Sequence, residues 1–220
     1  MMKKIDGVIF DMDGLLFDTE LIYYQSTQKI ADAMNFPYNK DVYLEFLGVS
    51  DEEVQENYHR IYKEFGKEKV EEFIQRSYED TYQVFESGEV PLKEGVLELL
   101  DFLDQQEIPR IVASSNVRPA IELLLEGAGI KERFSGIVSA EDVTRAKPDP
   151  EIFKKALFNL GTKAESTLIF EDSFHGVTAA DAAGIPVIMV PDLLAPTNEI
   201  KEKTLEIFDS LTQVPAYLEK

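Results

Sequence analysis

Two aspartates, Asp11 and Asp13, are the residues whose type and spacing most directly suggest chemistry. An apolar run over residues 7–10 leads to Asp11, and Gly14 follows Asp13. If the strand loosens after Asp11, the two carboxylates can converge, and they then repel one another unless a hard cation or a shared proton holds them. The segment suggests a magnesium site in which one aspartate is a nucleophile and the other a proton carrier, although Asp-x-Asp-Gly alone is a short pattern that many turns satisfy.

The composition limits the classes of protein and partner. The 220 residues suffice for one α/β domain with a small insertion, and the absence of cysteine excludes disulfides, thiolate catalysis and cysteine metal sites. The first apolar run is too short for a signal peptide or a membrane span, so we expect a cytoplasmic protein. A formal net charge of −20 disfavours nucleic acid and anionic membranes as partners. We expect a monomer that binds a small molecule.

Short apolar runs alternate with helical patterns over most of the chain. The nearly continuous hydrophobicity of the runs is typical of a parallel sheet covered on both faces. The alternation predicts an α/β fold with a doubly wound parallel sheet. The predicted strands are residues 7–11, 110–114, 136–139, 167–171 and 186–190, and the predicted helices are residues 96–106, 120–126, 150–159 and 177–183.

A helical block interrupts this alternation after the first strand. It has no convincing strand and predicts amphipathic helices at about residues 20–34, 43–47, 52–65 and 70–86. We therefore predict a helical cap domain at residues 18–87, inserted into a core domain of residues 1–17 and 88–220. Because it follows the two aspartates, the block would rise from the carboxyl ends of the strands, where such sheets bind ligands.

Polar residues follow the second predicted strand. Ser114, Ser115 and Asn116 offer hydroxyls and amides at a strand-to-helix turn, where a phosphate can be cradled. Arg118 would add positive charge. Taken alone, these residues favour plain helix capping by Ser115 or Asn116.

Lys147 precedes a rigid corner that contains Pro148 and Pro150. The prolines restrict the backbone, so the lysine stem has a defined direction and can aim its ammonium at phosphate and carboxylate oxygens. Most lysines in turns are solvated, and on these residues alone the two interpretations have equal weight.

Two adjacent acids, Glu171 and Asp172, end the fourth predicted strand. Acids at the end of a buried strand are costly unless they are paired or bound to a metal. The alternative is that they cap the next helix, for which Asp172 is well placed. Each of these four polar groups is a weak signal, but all four follow predicted strands, which favours one common site.

Together these motifs resemble those of the haloacid dehalogenase-like hydrolases, in particular the β-phosphoglucomutase-like phosphatases with a helical cap. The resemblance rests on Asp-Met-Asp-Gly at residues 11–14, Ser114, Lys147-Pro148 and Glu171-Asp172-Ser173, and it covers the whole chain. It implies a Rossmann-like core with a cap. It also implies a phosphatase that hydrolyses a small phosphorylated metabolite, either a sugar phosphate or a nucleoside monophosphate, with Mg²⁺ as cofactor.

The resemblance assigns roles to the acids. Asp11 matches the nucleophile that forms an aspartyl-phosphate, and Asp13 matches the general acid and base. Asp11, Asp13 (through its backbone carbonyl), Glu171 and Asp172 would form the metal site.

Phosphate binding would depend on the residues after the second strand and on the lysine. Ser114 and Lys147 match groups that neutralise the transferring phosphoryl oxygens, with Ser115 and Asn116 in the same phosphate-binding turn. An aspartate at the nucleophile position, with this acidic metal set, favours phosphate chemistry over carbon–halogen cleavage.

The predicted cap departs from β-phosphoglucomutase at two positions. Residues 48–50, Gly-Val-Ser, resemble a cap loop of that enzyme, but Asp51 follows where the mutase has an arginine, and Tyr23 aligns with a mutase histidine. Both departures favour hydrolysis. The alternatives are a phosphomutase of that type, a phosphonate hydrolase that uses a cap lysine, and a non-catalytic metabolite sensor.

Several other residues receive no catalytic role. Tyr78 and Tyr82, four residues apart, favour packing, and His175 lies beside the acids without a defined function. Four basic residues of the predicted cap could hold an anion but are spaced as a solvated helix face: His59, Arg60, Lys63 and Lys67.

Overall fold

The chain forms two units in this computed structural model, which describes residues 4–47, 51–88 and 90–219. The α/β unit consists of Met1–Asp18 and Pro91–Lys220, and the helical unit of Thr19–Val90. These boundaries lie one to three residues beyond those in the sequence prediction. The reason is local, since Asp18 N–H donates to Pro91 O and Lys93 N–H to Leu16 O, so the two connecting segments pair with each other inside the α/β unit.

A parallel sheet forms the centre of the α/β unit. Within the described residues its strand order is β3-β2-β1-β4-β5-β6, and the predicted doubly wound α/β fold is confirmed. The strands are β1 (Gly7–Phe10), β2 (Arg110–Ala113), β3 (Ile137–Val138), β4 (Thr167–Glu171), β5 (Val187–Met189) and β6 (Glu206–Ile207). The sequence pattern missed β6, which is only two residues long and partly exposed.

The helical unit contains α1 (Thr19–Met34), α2 (Lys40–Glu45), α3 (Asp51–Ile61) and α4 (Lys67–Ser87). The helix predicted over residues 52–65 ends at Ile61, because a short 3₁₀ turn and Gly66, with φ of +83°, separate it from α4. Asn39 starts α2 three residues earlier than predicted, since its side chain accepts hydrogen bonds from the N–H groups of Asp41 and Val42. The Gly-Val-Ser segment at 48–50 lies outside the described residues.

Aromatic side chains fill the core of the helical unit. Phe73 is fully buried, and the rings of Phe36 and Phe73 stack at 4.5 Å. Tyr78 packs against this cluster, as its spacing predicted. The ring of Tyr23 lies edge-on to that of Phe85 at 5.7 Å, so Tyr23 contributes to packing within this unit.

Helices flank the sheet in the α/β unit. They are α5 (Val96–Gln105), α6 (Arg118–Gly127), α7 (Glu151–Leu160), α8 (Phe174–Ala183), α9 (Asn198–Lys203) and α10 (Val214–Leu218). None of the helices in the described part of the chain combines the length and apolar character needed to span a bilayer.

The register of the sheet aligns the ends of three strands. Phe10 pairs with Phe170 of β4 and with Val112 of β2, and the four residues of β1 are all buried. The next residue along β1, Asp11, therefore emerges beside Glu171, at the point where the chain order across the sheet reverses. In open α/β sheets this point is the usual place of a ligand site.

Candidate active site

Asp11 and Asp13 are placed by a tight turn after β1. The strand ends at Phe10, and the carbonyl of Met12 accepts hydrogen bonds from the N–H groups of Leu16 and Phe17 at 2.8 and 3.1 Å. The strand therefore ends one residue before the predicted end at Asp11, and the condition that the chain leaves the strand before Asp13 is met.

Gly14 allows this turn to approach the acids at the end of β4. Its φ is +76°, a conformation that favours glycine. A Cβ at this position would lie 2.5 Å from Asp172 Oδ2. A side chain at residue 14 would therefore displace Asp172.

Three carboxylates converge at this edge of the sheet. One oxygen from each of Asp11, Glu171 and Asp172 lies within 4.8 Å of the others. The carboxylate of Asp13 is outside this set, and its Oδ2 accepts a hydrogen bond of 3.2 Å from Ser114 Oγ. The two aspartates of the opening motif thus have different surroundings.

Lys147 connects two of these acids. Its Nζ donates to Asp11 Oδ1 at 2.5 Å and to Glu171 Oε1 at 2.6 Å. Its side chain is only 6% exposed, and the ammonium lies 4.8 Å from the ring centre of Phe153. The interpretation of Lys147 as a solvated turn lysine is wrong.

Glu171 is fixed on its other side by the start of α8. Its Oε2 accepts hydrogen bonds from the N–H and the hydroxyl of Ser173, at 2.7 and 2.9 Å. Ser173 is also the N-cap of α8, since its Oγ accepts from Gly176 N–H. The alternative in which Asp172 caps this helix is therefore wrong.

The turn after β2 contributes Ser114. This serine is fully buried, and its Oγ accepts a hydrogen bond of 3.0 Å from Asn116 N–H. Ser115 is exposed, and Val117 is the N-cap of α6 without a side-chain hydrogen bond. The N-cap position is therefore occupied by neither Ser115 nor Asn116, although Asn116 Oδ1 accepts a hydrogen bond of 2.9 Å from Val117 N–H. The role of Ser115 and Asn116 in phosphate binding stays a prediction.

Arg118 does not supply charge to this turn as predicted. Its Nη2 donates to Asp142 Oδ2 at 2.6 Å and to Ile137 O at 3.2 Å. Arg118 instead connects the start of α6 to β3 and to the turn that follows β3.

The electrostatics of the site follow from burial and close opposite charges. Burial, together with Glu171 and Asp13, raises the pKa of Asp11, and Lys147 opposes this shift. Burial alone would lower the pKa of Lys147, but Asp11 and Glu171 outweigh it and raise that pKa. The two acids therefore favour the charged form of Lys147.

The donor set suits a hard divalent cation. Three carboxylates (Asp11, Glu171 and Asp172) lie close together, and Lys147 donates to two of them, which leaves an excess of negative charge in a largely buried place. Such an excess is costly unless a cation offsets it, and carboxylate oxygens are the ligands that hard cations prefer. The acidic cluster can therefore hold a metal ion.

Sequence reasoning missed a lysine–aspartate pair beside this cluster. Lys93 Nζ donates to Asp192 Oδ1 at 2.6 Å. Asp192 lies three residues after the end of β5, so its distance from a strand end gave a weaker signal than that of Asp11, which directly follows β1.

Comparisons with known proteins agree with this geometry. A family model described as haloacid dehalogenase-like hydrolase matches residues 8–190, a span that includes the site from Asp11 to Asp172. A Thermotoga maritima protein named phosphorylated carbohydrates phosphatase is 35% identical over 184 residues, which cover 82% of each chain. A Drosophila melanogaster protein named probable pseudouridine-5'-phosphatase is 31% identical over 202 residues, covering 87% of this chain and 84% of that protein.

A solved structure extends the similarity to both units. It belongs to a Thermotoga maritima protein named as a candidate β-phosphoglucomutase, with a TM-score of 0.81 and 28% identity, and the match covers 98% of this chain and 99% of that one. The family resemblance predicted from the motifs is confirmed.

Proposed function

This chain belongs to the haloacid dehalogenase-like hydrolases, and we propose that it is a Mg²⁺-dependent phosphatase that uses Asp11 as its nucleophile on a small phosphorylated metabolite. The observation that carries the proposal is the position of Asp11, which shares a buried cluster with Glu171 and Asp172 and accepts a hydrogen bond from Lys147. A carboxylate held between a cation-binding cluster and an ammonium is suited to receive a dianionic phosphoryl group.

In this proposal Asp11, Glu171 and Asp172 hold Mg²⁺, with the backbone carbonyl of Asp13 as the family resemblance implies. When bound, Mg²⁺ neutralises charge on the phosphate oxygens and orients them. Glu171 retains its contacts to Lys147 and Ser173, because each carboxylate oxygen has two acceptor sites.

The proposed reaction has two steps, in which Asp11 is the nucleophile and Asp13 the general acid and then the general base. An oxygen of Asp11 attacks phosphorus, the bond from phosphorus to the alcohol oxygen breaks, and Asp13 gives its proton to that oxygen. A water molecule then attacks phosphorus and gives one proton to Asp13, and the bond between phosphorus and the Asp11 oxygen breaks. Inorganic phosphate and the original carboxylate of Asp11 result.

Lys147 and Ser114 stabilise the charge that develops on the phosphoryl oxygens. The ammonium of Lys147 is fixed by two acids and is therefore preorganised, which is the most effective form of electrostatic catalysis. Ser114 lies beside Asp13 and can turn its hydroxyl from that carboxylate to a phosphoryl oxygen.

The proposed substrates are sugar phosphates or nucleoside monophosphates. The names of the Thermotoga and Drosophila relatives support both classes. The net charge of −20 supports a small substrate rather than a nucleic acid. The cap role of the helical unit, the monomeric state and the cytoplasmic location stay predictions.

Hydrolysis of p-nitrophenyl phosphate with Mg²⁺, followed by a panel of phosphorylated metabolites, tests the proposal. We expect phosphate release that Asp11→Asn abolishes, while the exposed change Asp181→Asn retains it. Unchanged hydrolysis in Asp11→Asn would refute the nucleophile assignment.

A phosphomutase is the second candidate, because the structural relative at 28% identity carries the name of a β-phosphoglucomutase. Incubation with β-glucose 1-phosphate separates the two. Formation of glucose 6-phosphate without matching release of inorganic phosphate would favour the mutase, and stoichiometric phosphate release would favour the phosphatase.

A further inference from the structure

Asp192, which follows β5, has one carboxylate oxygen that accepts a hydrogen bond and one that is buried. Its side chain is 8% exposed, and Oδ1 accepts the 2.6 Å hydrogen bond from Lys93. Among the described residues, Oδ2 has no hydrogen-bond partner. A buried carboxylate oxygen without a donor is costly, so a partner outside the protein is expected.

Asp192 Oδ2 lies near Asp172, one of the three residues of the acidic cluster. Asp172 Oδ2 and Asp192 Oδ2 lie 2.5 and 3.2 Å from the point where a Cβ of residue 14 would stand, and are therefore at most about 5.7 Å apart. One water molecule bridges two oxygens over such a span, since O–H···O bonds are about 2.8 Å long. The missing side chain of Gly14 leaves the space between them open.

The ion pair with Lys93 offsets the repulsion between Asp192 and the nearby Asp172. A lone carboxylate so close to Asp172 would repel it, but the Lys93–Asp192 pair is neutral as a whole. Lys93 Nζ also lies 3.7 Å from Asp18 Oδ1, and the backbone N–H of Lys93 donates to Leu16 O. Both contacts connect Lys93 to the segment that carries the Asp13 turn.

We propose that Asp192 is a positioning residue of the metal site: its Oδ2 would accept a hydrogen bond from a water molecule shared with Asp172 Oδ2, and Asp172 would in turn hold the cation. Lys93 fixes Oδ1 and thereby turns Oδ2 towards Asp172. Outer carboxylates of this kind orient the direct ligands of a metal and increase its affinity. This inference rests on the proposed Mg²⁺-dependent function.

Titration calorimetry of Mg²⁺ binding tests the proposal without turnover. We expect Asp192→Asn, which is nearly isosteric, to weaken Mg²⁺ affinity by about 10-fold or more. The matched control Asp181→Asn changes an exposed acid of α8 and should leave the affinity unchanged.

Kinetics separate positioning from a general loss of structure. With p-nitrophenyl phosphate, Asp192→Asn should raise the Mg²⁺ concentration needed for half-maximal rate about 10-fold, while kcat at saturating Mg²⁺ falls much less. A purely structural defect would lower kcat without changing the Mg²⁺ requirement. Asp192→Ser, which keeps a shorter acceptor for Lys93 and lacks Oδ2, should behave like Asp192→Asn.

The outcomes also distinguish this inference from the proposed function. If the wild type does not bind Mg²⁺, both the proposed metal-dependent function and this inference are wrong. If the wild type binds Mg²⁺ and both Asp192 variants bind it equally well, only the inference is overturned. Failure of both variants to fold would show a structural role for Asp192 and would likewise overturn it.

Discussion

The carboxylate of Glu171 fills the space that a side chain at Gly176 would need. A Cβ added to Gly176, in the first turn of α8, would lie 1.6 Å from Glu171 Oε1 at the end of β4. The buried carboxylate therefore lies directly on the helix backbone, and the glycine is a requirement of the site. Through Glu171, the first turn of α8 sets the position of Lys147 and hence the charge beside Asp11.

Gly176→Ala should greatly lower the rate of hydrolysis while lowering the stability of the fold only moderately. The added methyl must push Glu171 away, which moves Lys147, and a displacement of about 1 Å at a reacting group costs on the order of 100-fold in rate. Overpacking should lower the free energy of unfolding by about 1–3 kcal/mol. Phosphatase kinetics and urea denaturation measure the two effects.

Gly136→Ala is the matched control for this variant. The nearest atom to a Cβ at Gly136 is a side-chain carbon of Ile111 at 3.6 Å, which is an ordinary contact. We expect nearly wild-type activity and stability. Full activity in Gly176→Ala would contradict the role assigned to Glu171.

Lys147→Met should show what the buried ammonium contributes. The change keeps an apolar stem against Phe153 but leaves Asp11 and Glu171 without their shared donor. Loss of one preorganised group of this kind lowers kcat by about 100- to 1,000-fold. We also expect a loss of about 3 kcal/mol in the free energy of unfolding in the absence of metal, because two buried acids lose their partner.

Measuring both properties with and without Mg²⁺ makes the Lys147 test specific. The bound cation should restore part of the stability of Lys147→Met but little of its kcat. Wild-type kcat in this variant would rule out Lys147 as a group that stabilises the phosphoryl oxygens.

Most of the side chains that meet at the candidate site follow predicted strands, because parallel strands bring their carboxyl ends to one edge of the sheet. Asp11, Ser114 and Glu171 were predicted on this basis. Sequence could not place Asp11 beside Glu171 in particular, since that depends on the register in which Phe10 pairs with Phe170.

Local signals were less informative about which polar residues cap helices. Asp172 and Ser115 have suitable types for a cap, but Ser173 and Val117 occupy the cap positions. The burial of Lys147 was likewise beyond local sequence, because its acidic partners are far along the chain. Asp192 was missed since one more acid carries little signal among 42 acidic residues.

Removal of metal should abolish activity reversibly. We expect EDTA to stop hydrolysis and Mg²⁺ to restore it, whereas Ca²⁺ should not, because its larger and more flexible coordination suits the compact cluster poorly. Mg²⁺ at about 100 times its Kd should stabilise the fold by about 2.7 kcal/mol. Thermal denaturation with and without Mg²⁺ measures this shift, and Asp172→Asn should largely lose it.

Asp142 should make stability depend on pH in the acidic range. Hydrogen bonds from the N–H and the hydroxyl of Ser139, with the charge of Arg118, lower the pKa of Asp142. A carboxylate whose pKa is lower in the folded state stabilises the protein above its unfolded pKa of about 3.9, and this contribution disappears as the pH falls towards the folded pKa. Asp142→Asn should therefore cost about 1 kcal/mol at pH 7, and the difference from wild type should shrink as the pH falls below about 4. Urea denaturation across this range measures it, with Asp209→Asn as an exposed control. A difference between wild type and Asp142→Asn that stays constant with pH would show that the ionised form of Asp142 does not stabilise the β3 segment.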